Sequence, residues 1–489
     1  MSTTNLEQLP VQPLVRRDPR AEAVDHPGRW RALPVLLVAT FMALFDLFVV
    51  NVAAPSIGAE LHSGTAALEL VVGGYSFTYA AGLVTGGRLG DLYGHRKLFV
   101  AGMTAFAFAS LLCGIASSPA ELVVARLVQG ATASLMVPQV LAVIQATFPL
   151  EERARALSWF GLTVGVGGVS GQVVGGLLLD WNVLGLGWRA IFLVNVPIGL
   201  ITAALAWRVL PLTRGKVAYK IDVLGAVGTS LTVGLALVPL VLGHSEHWPA
   251  WGWVLLALSA PAGYGTLRHQ QHLARTGGHP LLDLTLFRHR AFASGIAVNV
   301  AFFAGFSGFL LAMTLALQTG LGLSPLHAGL TFAPLGVAFA LAALASKGLV
   351  ARYGSAVVTA GLITSGVGLV VLLASLIHSG TGFTAVETLP AMLLVGIGNG
   401  LTITTLIGVV LSQVPPAQGG VASGMLVTAQ QFAGAVGVAG LGTLFFGVLG
   451  SSATRVGFDH ALEWTVAGDL VLVLIALGTS FLLPRRART

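Results

Sequence analysis

The chain has 489 residues, 55% of them hydrophobic and only 9% charged, with a mean hydropathy of +0.85 and a net charge of +7. Soluble domains carry about 25% charged residues, so this composition excludes an ordinary water-facing surface. A single cysteine, Cys113, excludes an intramolecular disulfide.

Residues 1–32 form a polar tail with Arg16, Arg17 and Arg20, and the first apolar run opens near Leu33. That run is too long for a signal-peptide core and contains Asp46, so it reads as an uncleaved first span. Apolar length and loop punctuation then place fourteen spans. They lie near 33–56, 68–88, 97–116, 120–146, 157–179, 189–208, 222–243, 250–267, 292–317, 328–350, 355–377, 387–411, 420–447 and 464–483. Lipid offers the backbone no hydrogen-bond partners, so each span must be a helix or part of a closed barrel. The runs are too continuous for barrel strands, which alternate over roughly 10 residues. The fold expected is an all-α polytopic membrane protein.

The basic residues test this map. With the N-terminus inside, 23 of the 26 Lys and Arg fall on cytoplasmic flanks; only Arg189 and Arg455 lie outside, and Arg126 is within span 4. The positive charge is therefore a topology signal, with both termini cytoplasmic, and nucleic-acid binding is excluded.

The chain also repeats itself. "DLYGHRKLFVAG" after span 2 returns as "ARYGSAVVTAG" after span 10, Gly354 standing 260 residues beyond Gly94. "ARALSWFGLTVGVGGVSGQVVGG" of span 5 returns at a similar offset as "GVASGMLVTAQQFAGAVGVAGLG" of span 13. The expected organisation is a tail (1–32), a six-helix half (33–208), two inserted helices with cytoplasmic linkers (209–291), a second half (292–483) and a tail (484–489). Paired halves are the sign of a secondary transporter, with its site at their interface near the membrane midplane.

The turn after span 2, "GGRLGDLYGHRKLFVAG", gathers Arg88, Asp91, Arg96 and Lys97 between two apolar runs. Gly86, Gly87, Gly90 and Gly94 allow close helix approach and a tight turn. Asp91 can bond free backbone N–H groups at the adjoining helix ends or pair with an arginine, a clasp for a cytoplasmic gate. Positive-inside flanking alone accounts for Arg96 and Lys97, but not for Asp91 or the glycines. "GRLGDLYGHRK" resembles the cytoplasmic loop signature of the major facilitator superfamily. "FDLFVVNVAAP" (45–55), "RLVQGATAS" (126–134), "WRAIFLVNVPIGL" (188–200) and "FRHRAFASGIAVNVAFFAGFSGF" (287–309) resemble its fourteen-span drug:proton antiporter branch. The resemblance covers nearly the whole chain. It implies proton-driven export of small, amphipathic, often toxic compounds.

Asp46 sits near the middle of span 1, where a charged carboxylate costs roughly 2.5–3.5 kcal/mol on insertion scales. It is a candidate proton-coupling residue, with Asn51 a turn further on as a candidate polar partner; the alternative is a carboxylate held only to orient span 1. Arg126 matches the family's fourth-span motif together with Gln129 and Gly130. The resemblance implies a part in proton transfer, and a permanent ion pair is the alternative. Asp469 in span 14 is either a second intramembrane acid or a side chain reaching the interface. In span 5, Gly161, Gly165, Gly167, Gly171, Gly175 and Gly176 include the series 167, 171, 175, a small face for close helix packing. It resembles the family's antiporter motif, but Gln172 stands where a proline is expected.

His244 and His247 lie beside the aromatic belt of Trp248, Trp251 and Trp253 and read as loop residues, as do His269, His272, His279 and His289 in the longest cytoplasmic loop. No metal, cofactor or catalytic site is expected. No "GxxxxGK[ST]" phosphate loop occurs, and no nucleophile–base pattern suggests an enzyme. The function expected is a monomeric antiporter in a bacterial plasma membrane, its partners the lipid bilayer, protons and a small-molecule substrate. A proton-coupled uptake symporter and a non-transporting receptor are the rival readings.

Overall fold

A computed structural model describes residues 28–211, 222–243, 249–278, 280–412, 414, 419–450 and 454–484. The N-terminal tail through Pro27, the linker 212–221, His244, His247, Trp248 and His279, and the C-terminal tail from Arg485 lie outside the described residues.

Lipid-compatible backbone must close its hydrogen bonds locally, and among the described residues there is no strand. The long helices are α1 (Arg29–Leu61), α2 (Thr65–Tyr93), α3 (His95–Ile115), α4 (Pro119–Thr147), α5 (Leu150–Asp180), α6 (Gly187–Val209) and α7 (Val223–Leu242). They continue with α8 (Ala250–Arg275), α9 (Arg290–Leu315), α10 (Pro325–Tyr353), α11 (Ala356–Ser379), α12 (Leu389–Ser412), α13 (Gly419–Leu449) and α14 (Arg455–Ser480). Among the described residues, twelve of these are long and apolar enough to cross a membrane. Leu341, Ile201 and Ile377 point outward with 60–65% of their surface uncovered, an arrangement that lipid, not water, accommodates.

Helix ends differ from the apolar runs. α8 continues to Arg275, beyond the run ending near 267, and α14 starts at Arg455, well before 464. Hydropathy marks the lipid-facing length, whereas a helix continues until something caps it. At α14 the cap is Thr454, whose hydroxyl accepts the Gly457 N–H at 3.2 Å. At α4 it is Ser118 followed by Pro119.

Packing repeats with the sequence. α1 packs on α5, α2 and α3 on α4, and α3 on α6; equally α9 packs on α13, α10 and α11 on α12, and α11 on α14. α5 crosses to α10 and α12, and α13 crosses to α2 and α4. α7 and α8 pair with each other, and α7 lies against α2 and α13. Small residues make these approaches possible. A Cβ on Gly86 of α2 would sit 2.1 Å from the Ser134 carbonyl oxygen of α4. One on Gly171 of α5 would sit 2.9 Å from the Phe45 carbonyl of α1, and one on Gly437 of α13 would sit 1.9 Å from the Ala304 carbonyl of α9. Gly94 between α2 and α3 and Gly354 between α10 and α11 both have positive φ (94° and 62°), so the repeated motif places a glycine-dependent turn at both positions.

Candidate functional site

Five of the first six helices send polar side chains to one buried point. Asp46 of α1 and Arg126 of α4 are both fully buried, and their carboxylate and guanidinium groups are in direct contact, Arg126 Nη1 donating to Asp46 Oδ2. A helical i, i+3 step brings Gln129 to the same face. Its amide donates to Asp46 Oδ1 at 2.9 Å and to Ser110 Oγ of α3 at 2.7 Å, and its oxygen accepts from Arg126 Nη1 at 2.7 Å. Asn195 of α6 donates a second amide N–H to Asp46 Oδ1 at 2.9 Å. Arg126 Nε donates to the Val71 carbonyl of α2 at 3.0 Å, and the guanidinium lies 4.5 Å from the centre of the Tyr75 ring. A carboxylate that collects one guanidinium and two amides is a strongly held anion. Among the described residues Arg126 Nη2 has no partner.

The sequence reading named Asp46, Arg126 and Gln129, and the fold brings these three together. Asn51 is not part of the cluster: it faces a central cavity, and Asn195 takes the polar role beside Asp46. Asn195, Ser110 and Tyr75 went unnoticed as cluster members. Asn195 and Ser110 did leave a signal, since each is a polar residue set in an apolar run.

That cavity, of about 440 Å³, lies between α1, α2 and α5 on one side and α9, α12 and α13 on the other. Its size suits a drug-sized molecule. Leu44, Leu47 and Phe48 of α1 line it, so the helix that carries Asp46 is also a cavity wall. Asp469 of α14 is buried elsewhere, against Gly305 of α9, and its Oδ1 has no partner among the described residues.

The charged turn between α2 and α3 sets Asp91 against a histidine and sends two arginines to backbone carbonyls. Asp91 Oδ1 faces His95 Nε2 at 3.6 Å. Arg88 donates to the Pro280 carbonyl in the loop before α9, and Arg96 donates to the Trp207 carbonyl with its guanidinium over that indole. Lys97 is exposed. Gln139 of α4 ties the turn down, meeting His95 Nδ1 at 2.8 Å and donating to the Gly86 carbonyl at 2.8 Å. In α5, Gly167, Gly171 and Gly175 face α1, whereas Gly176 faces the start of α10. Without a proline at 172, α5 runs unbroken, and the Gln172 side chain is buried.

The loop that receives Arg88 is anchored in turn. Gln270 of α8 accepts the Leu282 N–H at 3.0 Å and donates to Asp222 Oδ2 at 2.7 Å. Asp222 caps α7 through the Gly225 N–H at 2.8 Å and meets His269 Nε2 at 2.8 Å. Burial works against its charge, but the bonds from His269, Gly225 and Gln270 outweigh burial and hold its carboxyl below the usual range. A depressed folded-state pKa stabilises above the unfolded value, about 3.9, and that stability is lost as pH falls through the folded one. Asp222→Asn should therefore cost about 1 kcal/mol at pH 7, a gap that narrows on acidification below about pH 4. Thermal unfolding of both proteins across pH checks this, and a gap independent of pH would contradict it.

Comparison with known proteins agrees with this architecture. The Major Facilitator Superfamily profile matches residues 36–438. The chain is 40% identical over 434 residues to the probable actinorhodin transporter of Streptomyces coelicolor, covering 88% of this chain and 75% of that one. It is 35% identical to the cephamycin export protein CmcT of Amycolatopsis lactamdurans (94% and 93% covered) and 32% identical to the tetracenomycin C resistance and export protein of Streptomyces glaucescens (90% and 78%). Among solved structures, a bacterial homologue of the human lysosomal transporter Spinster superposes with a TM-score of 0.60 at 15% identity, covering 94% of this chain and 97% of that one. By sequence match across most of its length, and by fold, this chain belongs to the major facilitator superfamily.

Proposed function

We propose that this protein exports small amphipathic compounds, of the drug or antibiotic kind, across a bacterial plasma membrane in exchange for inward-moving protons. As a member of a transporter family it is not an enzyme. In this reading all fourteen long helices span the membrane, α7 and α8 are inserted between the halves 33–208 and 292–483, both termini are cytoplasmic, and the monomer is the working unit. Relatives named for the transport of actinorhodin and the export of cephamycin and tetracenomycin C support efflux.

One observation carries the coupling: Asp46 is sealed from the cavity, yet it sits on a helix that forms the cavity wall. Protonated Asp46 holds the guanidinium and the two amides less strongly, because charge-assisted bonds become neutral ones. α1 is then less tightly bound to α4 and α6, and its cavity-facing side can shift. A proton and a substrate thus bias the same two-state element from opposite faces. Once the proton is released, Arg126 again holds a carboxylate through a charge-assisted bond.

Reconstituted protein should concentrate substrate on the acidic side of a proteoliposome, and a protonophore should stop it. Actinorhodin, cephamycin and tetracenomycin C make the first panel. Accumulation on the alkaline side would indicate proton-coupled uptake. The topology is checked separately: Arg275→Cys should be shielded from a membrane-impermeant maleimide in intact cells, and Thr381→Cys should react. Reaction of both from outside would break the fourteen-span arrangement.

A further inference from the structure

Among the described residues, the lining of the central cavity carries no acidic or basic side chain and no histidine. Asp46 and Asp469 are turned away from it. Asp46 is enclosed by Arg126, Gln129 and Asn195, and Asp469 packs on the Gly305 side of α9, opposite the Phe306 and Ser307 side that meets the cavity. Among these residues a permanent cation would find no counter-charge, and neither would an anion. Burying an unpaired ion is among the costliest events in a protein interior. Phe48 of α1, Phe303 and Phe306 of α9 and Phe446 of α13 supply aromatic faces from three helices, surfaces that favour flat ring systems.

The polar content is neutral and unevenly committed. Gln430 donates to Asn299 Oδ1 at 3.1 Å, so its amide is occupied. Gln318 differs. It lies in a π-turn, Ala316–Gly320, that extends α9 and is closed by the Leu321 N–H on the Ala316 carbonyl at 2.8 Å. Single π-turns of this kind concentrate at functional sites because they re-aim side chains out of the regular helical register. Gln318 and Thr319 both reach the cavity, and the Gln318 Nε2 is buried with no partner among the described residues. A buried amide donor without an acceptor is unfavourable until something supplies one.

We infer, on the footing that this cavity is the transport site proposed above, that it selects uncharged, flat aromatic compounds bearing hydrogen-bond-accepting oxygens, with the Gln318 amide on the π-turn as the specificity-determining donor. Thr319 offers a second hydroxyl from the same turn, and the phenylalanines sandwich the rings.

Four probes of similar size test this: 1,8-dihydroxyanthraquinone (neutral, with carbonyl acceptors), anthracene (the rings alone), anthraquinone-2-sulfonate (anionic) and ethidium (cationic). Binding to the purified protein in nanodiscs is read by equilibrium dialysis against empty nanodiscs. The neutral quinone should bind at least about tenfold tighter than either ion. Gln318→Leu should weaken the quinone about five- to tenfold, the worth of one hydrogen bond, and leave anthracene unchanged. Gln318→Glu, which places a carboxylate in the cavity, should weaken the quinone and strengthen ethidium. Equal binding of the ions, no binding of any probe, or loss of quinone and anthracene alike in Gln318→Leu would overturn the inference. Export in proteoliposomes separates the two readings. A quinone that binds but is not moved by a pH gradient overturns efflux and leaves the cavity chemistry standing. Preferential export of ethidium does the reverse.

Discussion

Replacing Asp46 with asparagine is expected to abolish pH-driven accumulation of substrate while the protein stays folded. Asparagine keeps the size of the side chain and an oxygen for the guanidinium, and Arg126 retains the Gln129 oxygen, the Val71 carbonyl and the Tyr75 ring. What disappears is the ability to gain and lose a proton. Without it, the two sides of the membrane are equivalent to the carrier, so the substrate ratio at steady state should fall to about 1, that of an uncoupled exchanger. Because the cavity lining is untouched by the change, binding of a neutral substrate should persist, and equilibration down its own gradient should continue. The measurement is uptake into proteoliposomes with an imposed pH difference, set beside binding to the same preparation. Uphill accumulation at the wild-type level would remove Asp46 from coupling and direct attention to Asp469, whose Oδ1 is buried without a partner among the described residues.

The second large effect is on stability. Arg126→Leu leaves Asp46 buried with only the Gln129 and Asn195 amides to hold it. Removing one partner of a buried ion pair typically costs about 3–5 kcal/mol, whereas replacing both partners with apolar groups is often close to neutral. The double variant Asp46→Leu/Arg126→Leu should therefore recover most of the stability that Arg126→Leu loses, yet recover no transport. SDS-induced unfolding measures the first quantity, and proteoliposome flux measures the second. If the double variant is no more stable than Arg126→Leu alone, the damage comes from lost packing on Tyr75 and Phe192 and not from an unpaired charge.

Much of this molecule was legible residue by residue. Asp46 and Arg126 stood out because charge inside an apolar run is expensive and therefore purposeful, and Gln129 came with Arg126 in the motif they share. The cavity's polar residues were harder to read. Gln318, like Asn299 and Gln430, sits in an apolar run, but one-dimensional pattern does not say whether such an amide meets an acceptor on a neighbouring helix, as Gln430 does through Asn299, or is buried without one among the described residues, as the Gln318 Nε2 is. The π-turn that makes the difference has no compositional signature. Asp91 shows the same limit in the charged turn. Its charge and position were evident, but its facing His95 depends on how α2 enters α3 through Gly94, and the arginines beside it reach carbonyls on segments 111 and 192 residues away.

The sequence by itself determined the helical membrane class, the order of the long helices and the internal repeat, because lipid enforces local backbone hydrogen bonding and hydropathy is a property of consecutive residues. Helix ends moved where caps, not apolarity, decided them. Tertiary structure alone decided which polar residues share a site. Asn195 reaches Asp46 across 149 positions of chain, and Asn51, only a turn from Asp46, faces the other way into the cavity. Proximity along a helix follows its period, whereas proximity between helices follows which small residues let two backbones approach. Those approaches, Gly86 on Ser134, Gly171 on Phe45 and Gly437 on Ala304, are a property of the assembled bundle.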